Sequence, residues 1–578
     1  MPSKTLTPMA LALCLCVAAT GCDKEGRGLS LKGDKSARQP EFVIPPHVKG
    51  TVGEYAGLVG GGPVPVQAYG IVIALGDNGS SEVPAILRKE LIEYLLKQRL
   101  GSPRSGTQNL TPERVLRDKD TAVVLIGGAV QPGAPVGTRF DVFVSALPQT
   151  QTRSLDGGIF MPVEMRLAFG GVRRPGQMTT ILASAGGPVF VNPFLDPSDP
   201  EQQGQLLKGR IIGGGRVTNA RPMKLQLRHP DYATADLIQR RIKERFPSET
   251  EVANAESRSM VAITIPPEFR GDYVHFLRLV LHLPIRLVSG EWELHARQIA
   301  EQMQQPAANH DELAMVWEAT GRQVVPVLRN LYASTNPAAS FYAARSGARL
   351  EDRLAFDVLL RFAETNGSPY QVPAIEEIGR YPRETRPASV LRKLVDEPND
   401  LVRVAAYEAL VRRGDTSTVT RVDVSGQFKL DIVASRRSYA VYATQTQEPK
   451  IVLFGRNMSV RRPIFFESPG ELVTINAFGD SAKMTVFRKI QRSGQYSDPY
   501  ELDFSVRALV QTLGTRPELD QDGRPLGLGL TYSQVVSVLY RLCKQGDIPA
   551  RFVLQPIPEL QRIYEGAASV GRPDMSGL

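Results

Sequence analysis

The apolar residues change period twice along this chain, and that pattern limits its fold before any other property is weighed. From about residue 64 to 227 short strand-like apolar runs dominate, broken by Gly, Pro, Asn and Asp, with one helically spaced stretch at Ile86, Leu87, Leu91, Leu95 and Leu96. Between about 308 and 415 the apolar residues recur at helical spacing. From 419 to 489 the period returns to two. A chain of 578 residues exceeds what a single core supports, so several domains are expected. The pattern predicts an α+β multidomain protein with a strand-rich N-terminal half, an α-helical repeat segment, and a β-rich C-terminal domain with terminal helices. The expected boundaries are a lipoprotein signal peptide at 1–22, a flexible tether at 23–49, an α+β region at 50–290, helical repeats at 291–415, a β-domain at 416–490 and a mixed helical region at 491–578.

The first 22 residues read as an export signal. Lys4 supplies positive charge, residues 9–19 form an apolar stretch too short to cross a bilayer, and Ala19, Thr20 and Gly21 lead into Cys22. Small residues before a cysteine resemble a bacterial lipobox, although Ala19 stands where Leu is usual. The reading makes Cys22 the lipidation site, followed by a polar tether beginning Asp23-Lys24-Glu25. Of the four cysteines, Cys14 and Cys16 lie in the signal and Cys22 is consumed by lipid. Only Cys543 remains, so no internal disulfide is expected and stability must come from packing. Cys543 falls on the apolar side of a helix predicted over 532–544, where it reads as a core residue. The 69 basic and 60 acidic residues are spread along the chain without a basic tract, a solvated surface that gives no reason to expect nucleic acid.

Five motifs follow one another in the N-terminal half. Tyr69-Gly70-Ile71-Val72-Ile73-Ala74-Leu75 is a β-branched strand ending in a Gly-Asp-Asn-Gly turn. Ala129-Val130-Gln131-Pro132-Gly133 precedes Arg139-Phe140-Asp141-Val142-Phe143-Val144-Ser145. Ser154-Leu155-Asp156-Gly157-Gly158 turns into an apolar strand, and Gly213-Gly214-Gly215-Arg216 follows. Last, a strand ends in Arg228-His229-Pro230-Asp231 and passes into a helix. In this order the motifs resemble the flagellar P-ring protein family over residues 50–290. The resemblance implies a periplasmic homo-oligomer that rings the flagellar rod at the peptidoglycan layer as a bushing. Its implied partners are further copies of itself, rod and L-ring components, peptidoglycan, and the membrane through the lipid anchor. Gly157, Gly158 and Arg153 are the candidate assembly contacts, since a turn without bulky side chains admits a neighbouring backbone. The anchor, the missing disulfide pair and the long C-terminal half set the chain apart from that family. They leave a second reading, an envelope scaffold or binding module for a non-flagellar complex.

Val327-Leu-Arg-Asn-Leu331, Val358-Leu-Leu-Arg-Phe362 and Val390-Leu-Arg-Lys-Leu394 recur at intervals of 31 and 32 residues. Regular spacing of this kind predicts helix-pair repeats of HEAT-like type, with residues 400–415 as a closing helix. The period-two segments beyond predict a sandwich or barrel. No catalytic pattern appears. The six histidines form no His-Glu-x-x-His pair, and His275 and His282 share a helical face without a third ligand of suitable spacing. The glycine run 209–216 lacks the Gly-Lys-Ser/Thr ending of a phosphate loop. A non-enzymatic protein with no cofactor and no metal is expected.

Overall fold

The computed structural model describes residues 45–98, 111–148, 150–168, 180–195, 199–286, 291–382, 384–490, 494–518 and 526–557. The signal, Cys22 and nearly all of the tether lie outside the described residues.

A short helix α1 (Val52–Tyr55) leads into β1 (Ala56–Val59) and then β2 (Val64–Ile73). Helices α2 (Ala85–Lys97) and α3 (Pro112–Leu116) precede β3 (Ala122–Val130), β4 (Arg139–Ala146), β5 (Ile159–Leu167) and β6 (Ile181–Pro188), and α4 (Pro200–Leu206) leads into β7 (Lys208–Val217). Strands β2-β3-β4-β7-β6-β5 close into an antiparallel barrel. The first strand reads as a continuous apolar run because it is buried on both faces. Val72 joins Val124 and Phe160 in the barrel core, whereas Ile71 and Val123 lie under Leu91 and Leu95 of α2. Closure pairs both edges of every barrel strand.

Next to the barrel, β8 (Met223–Leu227), α5 (Tyr232–Arg245), β9 (Ala253–Ser257), β10 (Met260–Ile263) and α6 (Tyr273–His282) build an antiparallel sheet of order β1-β8-β10-β9. Met223, Leu225 and Leu227 alternate onto one face and pack with Ile238 and Ile242 of α5 and Phe276 and Val280 of α6. The Arg-x-Pro-Asp motif ends in a helix cap: the Asp231 carboxylate accepts the Thr234 N–H at 2.8 Å.

Among the described residues eight α-helices follow: α7 (Glu291–Met303), α8 (His310–Thr320), α9 (Val325–Leu331), α10 (Pro337–Arg349), α11 (Arg353–Glu364), α12 (Gln371–Ile378), α13 (Arg386–Leu394) and α14 (Asp400–Arg412). The three recurring segments fall on α9, α11 and α13, each followed by a second helix. Side-chain oxygens of Asn336, Asp352 and Asn399 cap α10, α11 and α14. A polar ladder crosses the buried seam. The Arg349 guanidinium lies 3.1 Å from Glu318 of α8 and 2.8 Å from Glu377 of α12, and His275 of α6 lies 3.1 Å from Glu318. Burial opposes the charge on Glu318, but Arg349, His275 and Arg345 outweigh it and hold its carboxyl at about 2.

Strands β11 (Val419–Val424), β12 (Phe428–Val433), β13 (Ala440–Ala443), β14 (Lys450–Phe454), β15 (Ile464–Glu467), β16 (Val473–Ala477), β17 (Met484–Arg488) and β18 (Tyr500–Leu502) come next, followed by α15 (Val506–Gly514), α16 (Tyr532–Gln545) and β19 (Arg551–Leu554). They form a five-stranded sheet, β11-β12-β14-β13-β19, and a four-stranded sheet, β15-β16-β17-β18. The expected period-two strands are present, but β12 with β14 and β13 with β19 pair in parallel. The five-stranded sheet is buried on both sides. Val452, Phe454, Ala440 and Tyr442 pack with the helices, while Ile451, Leu453, Val441 and Ala443 pack with the second sheet, α15 and α16. On the helix side the buried Asp431 carboxylate accepts two bonds from Arg421, at 2.8 and 2.7 Å, and the Tyr407 hydroxyl at 2.5 Å.

The packing of α14 sets one expectation. Leu410 is fully buried and Arg412 is exposed, so Leu410→Asp should lower stability by about 4 kcal/mol or more. Arg412→Asp should cost less than about 1 kcal/mol. Chemical denaturation compares the two, and equal midpoints would contradict the helix orientation. A second expectation concerns acid. Because the folded Glu318 carboxyl sits at about 2, below its usual 4.5, its stabilisation is full above about pH 4.5 and is lost as pH falls toward 2. Glu318→Gln removes the buried carboxylate that Arg349, Arg345 and His275 share, leaving Arg349 to Glu377 and Arg345 to Asp311, and should cost about 3 kcal/mol at pH 7. That deficit should shrink between pH 4.5 and 2 in denaturation profiles. A deficit that does not change with pH would refute the ladder's charge state.

Candidate functional site

The turn holding the candidate assembly contacts lies in the connection from β4 to β5. Gly157 has φ +74°, a left-handed conformation that suits glycine, and the Gln534 side chain of α16 fills the space a Cβ would need. Gly158 lies against Val72 and Leu75 of the barrel core. Both glycines are buried and their close approaches are made within the chain, while Arg153 is exposed. β5 also has both edges taken, by β2 and β6, so strand addition is not available there.

The cover over this turn comes from the C-terminal region. The Asp156 carboxylate accepts the Ser533 hydroxyl at 2.8 Å, and Ser533 Oγ accepts the Val191 N–H at 3.2 Å. Burial raises the Asp156 carboxyl above its usual range against the pull of these donors. The Phe194 and Tyr540 rings meet edge to face at 4.5 Å. At the other end of the contact, Asp141 of β4 accepts the N–H groups of Gly213 at 2.7 Å and Gln447 at 2.9 Å. Arg210 of β7 donates to the Gln445 carbonyl at 3.0 Å. The glycine run 209–216 is thus a barrel strand whose turn-like Gly213 meets the C-terminal sheet.

The remaining sequence candidates are placed as follows. Cys22 lies outside the described residues. Cys543 packs on α16, where burial pushes its thiol up to about 12, so it holds its proton at neutral pH. His275 joins the Glu318 ladder. His282 instead meets two residues that sequence spacing had not connected to it, His47 from the turn Pro46–Val48 and Glu312 from the first turn of α8. His282 Nε2 is 2.6 Å and His47 Nε2 3.8 Å from the same Glu312 oxygen. The two rings stack within 14° at 5.9 Å. Burial holds His47 below its ordinary value, against Glu312 and together with His282. The three residues come from segments far apart in the chain, so no local motif could have joined them.

Residues 54–291 match the family model for the flagellar P-ring protein, FlgI. The match runs from α1 through α6 and ends at the first residue of α7. A flagellar P-ring protein of Thermotoga maritima is 28% identical over 223 residues, covering 38% of this chain and 62% of the relative. One from Caulobacter vibrioides is 28% identical over 227 residues, covering 38% and 55%. One from Bradyrhizobium sp. is 26% identical over 249 residues, covering 41% and 61%. The chain therefore spans about three-fifths of the length of these relatives. No described helix is long and apolar enough to cross a membrane. The barrel and its neighbouring sheet are similar to flagellar P-ring proteins, and the eight helices and two C-terminal sheets lie outside that similarity.

Proposed function

We propose that this chain is a structural, non-catalytic component of the bacterial envelope that self-associates into a P-ring-like collar around the flagellar rod. One observation carries the reading: the stretch similar to P-ring proteins contains every strand of the closed barrel and of its neighbouring sheet. A bushing must resist deformation, and a barrel with no free edge supplies a stiff building block. The ring sits in the periplasm, and its partners are other copies, rod and L-ring components, and peptidoglycan. Acylation of Cys22 anchors it to the envelope membrane. The helices 291–415 act as HEAT-like repeats that present a binding surface.

A second reading is favoured by one specific feature, the intrachain cover that α16 lays over the Asp156 turn. A chain that seals this turn by itself suits a scaffold of a non-flagellar envelope complex.

A closed ring needs a heterologous interface, in which two different patches on each copy match. Of Gly157, Gly158 and Arg153, the exposed Arg153 is the contact open to a neighbour; Gly158→Val would disrupt its own barrel and report on folding. Arg153→Glu should leave thermal stability within about 0.5 kcal/mol of the parent and weaken assembly. Analytical ultracentrifugation and negative-stain microscopy of the full mature chain, with and without rod components, test this. A chain that stays folded and monomeric under both conditions contradicts the ring. For the anchor, each buried acyl CH₂ is worth about 0.8 kcal/mol, so the parent should partition into detergent and Cys22→Ser into the aqueous phase. A processed Ser variant that partitions like the parent refutes acylation.

A further inference from the structure

His282, His47 and Glu312 make a donor set that neither the similarity to P-ring proteins nor the ring reading uses. His282 ends α6 and is almost fully buried. Its Nδ1 lies 2.8 Å from the Arg278 carbonyl. A carbonyl only accepts, so Nδ1 carries the proton, an assignment that follows from the partner. The neutral ring then turns the Nε2 lone pair toward a carboxylate oxygen 2.6 Å away, and that nitrogen makes no hydrogen bond of good geometry. Two lone pairs at this distance repel unless a cation lies between them. That cation is either a second proton on the ring or a metal ion.

Three features favour a metal ion. Imidazole nitrogens that bind metals characteristically donate their other N–H to a backbone carbonyl, as His282 does to Arg278. The Glu312 carboxylate is divided, with Oε1 held by Arg278 at 2.9 Å and Oε2 turned to both rings. A second imidazole is present, and all three donor atoms lie within 4.8 Å of one another. Small rotations of His47 and Glu312 bring them to the roughly 2.0–2.2 Å that zinc requires. The His47 turn is also fixed in place, because Val52 donates to the Leu283 carbonyl at 2.9 Å and Ile285 to the Gly50 carbonyl at 3.1 Å.

We propose that His47, His282 and Glu312 bind one divalent transition-metal ion, with zinc as the best match for two nitrogens and one oxygen and water at the fourth position. His47 precedes the first residue of the P-ring-like match, His282 lies inside it, and Glu312 lies beyond it. The ion therefore clamps the entry of the chain and the helical region to α6. It binds by displacing a proton or the lone-pair clash at His282, and no bond in the chain is made or broken.

The test uses untagged full-length protein, stripped with a chelator, dialysed against Zn²⁺ and analysed for bound metal and melting temperature. About one equivalent of zinc should remain, the melting temperature should rise with Zn²⁺, and Co²⁺ should give visible ligand-field absorption typical of a low-coordinate site. His47→Ala and Glu312→Gln should each abolish the retained equivalent and the thermal shift, whereas His229→Ala, at an exposed histidine, should not. His47 sits on a half-buried turn at the edge of the fold, so its variant keeps the core and gives a readable result even if Glu312→Gln is destabilised. No retained zinc in the parent would overturn the proposal and leave an imidazolium–carboxylate pair. Retention that survives both ligand variants would overturn it as well. Neither outcome bears on ring assembly.

Discussion

The five-stranded C-terminal sheet is apolar on both faces, and most of the long-range organisation depends on covering it. In β14 the side chains of Ile451, Val452, Leu453 and Phe454 alternate between two separate cores. A sheet of this kind is stable only between two layers. The helices from α7 to α14 supply one layer, and the second sheet with α15 and α16 supplies the other. Asp431 on the helix-facing side is fully buried, and three hydrogen bonds from Arg421 and Tyr407 satisfy it. That group helps to place α14 on the sheet, since a shift of the helix would take the Tyr407 hydroxyl away and leave the buried carboxylate to Arg421 of β11.

The same layer carries the barrel. α16 buries one face in the C-terminal core, and at its N-terminal end Ser533 and Gln534 close over Asp156 and Gly157 of the barrel turn. Asp141 takes one N–H from its own barrel and one from Gln447, so a single carboxylate serves both regions. The part of the chain similar to P-ring proteins is thus joined to its C-terminal half by buried polar contacts of defined geometry. In a ring, each barrel would bring that half with it, on a side set by these contacts.

Sequence pattern disclosed what is local. The strand that ends at Ile73, the helix that follows Asp231, the helices at the three recurring segments and the packing of Cys543 on α16 each rest on residues a few positions apart. What escaped notice depends on distant partners. The parallel pairing of β13 with β19 joins segments about a hundred residues apart, and nothing in Ala440-Val-Tyr-Ala443 names its partner. Nor does the strand Phe428–Val433 name the Arg421 and Tyr407 that Asp431 meets. Gly157 and Gly158 read as an open turn because glycine marks a close approach without saying what approaches. His282 and Glu312 belong to helices that pack together, and His47 reaches them from before β1; the proximity comes from folding alone.

The central claim is that the chain builds a collar around the flagellar rod. The most direct measurement is cryo-electron microscopy of basal bodies isolated from cells that carry the chain, with the parent compared with a deletion strain. The account predicts a ring around the rod at the peptidoglycan level whose subunits fit the barrel and its neighbouring sheet, with added density for the helices and C-terminal sheets, and no such ring in the deletion. Basal bodies whose rings are identical in both strains, with the chain absent from the purified particles, would contradict it.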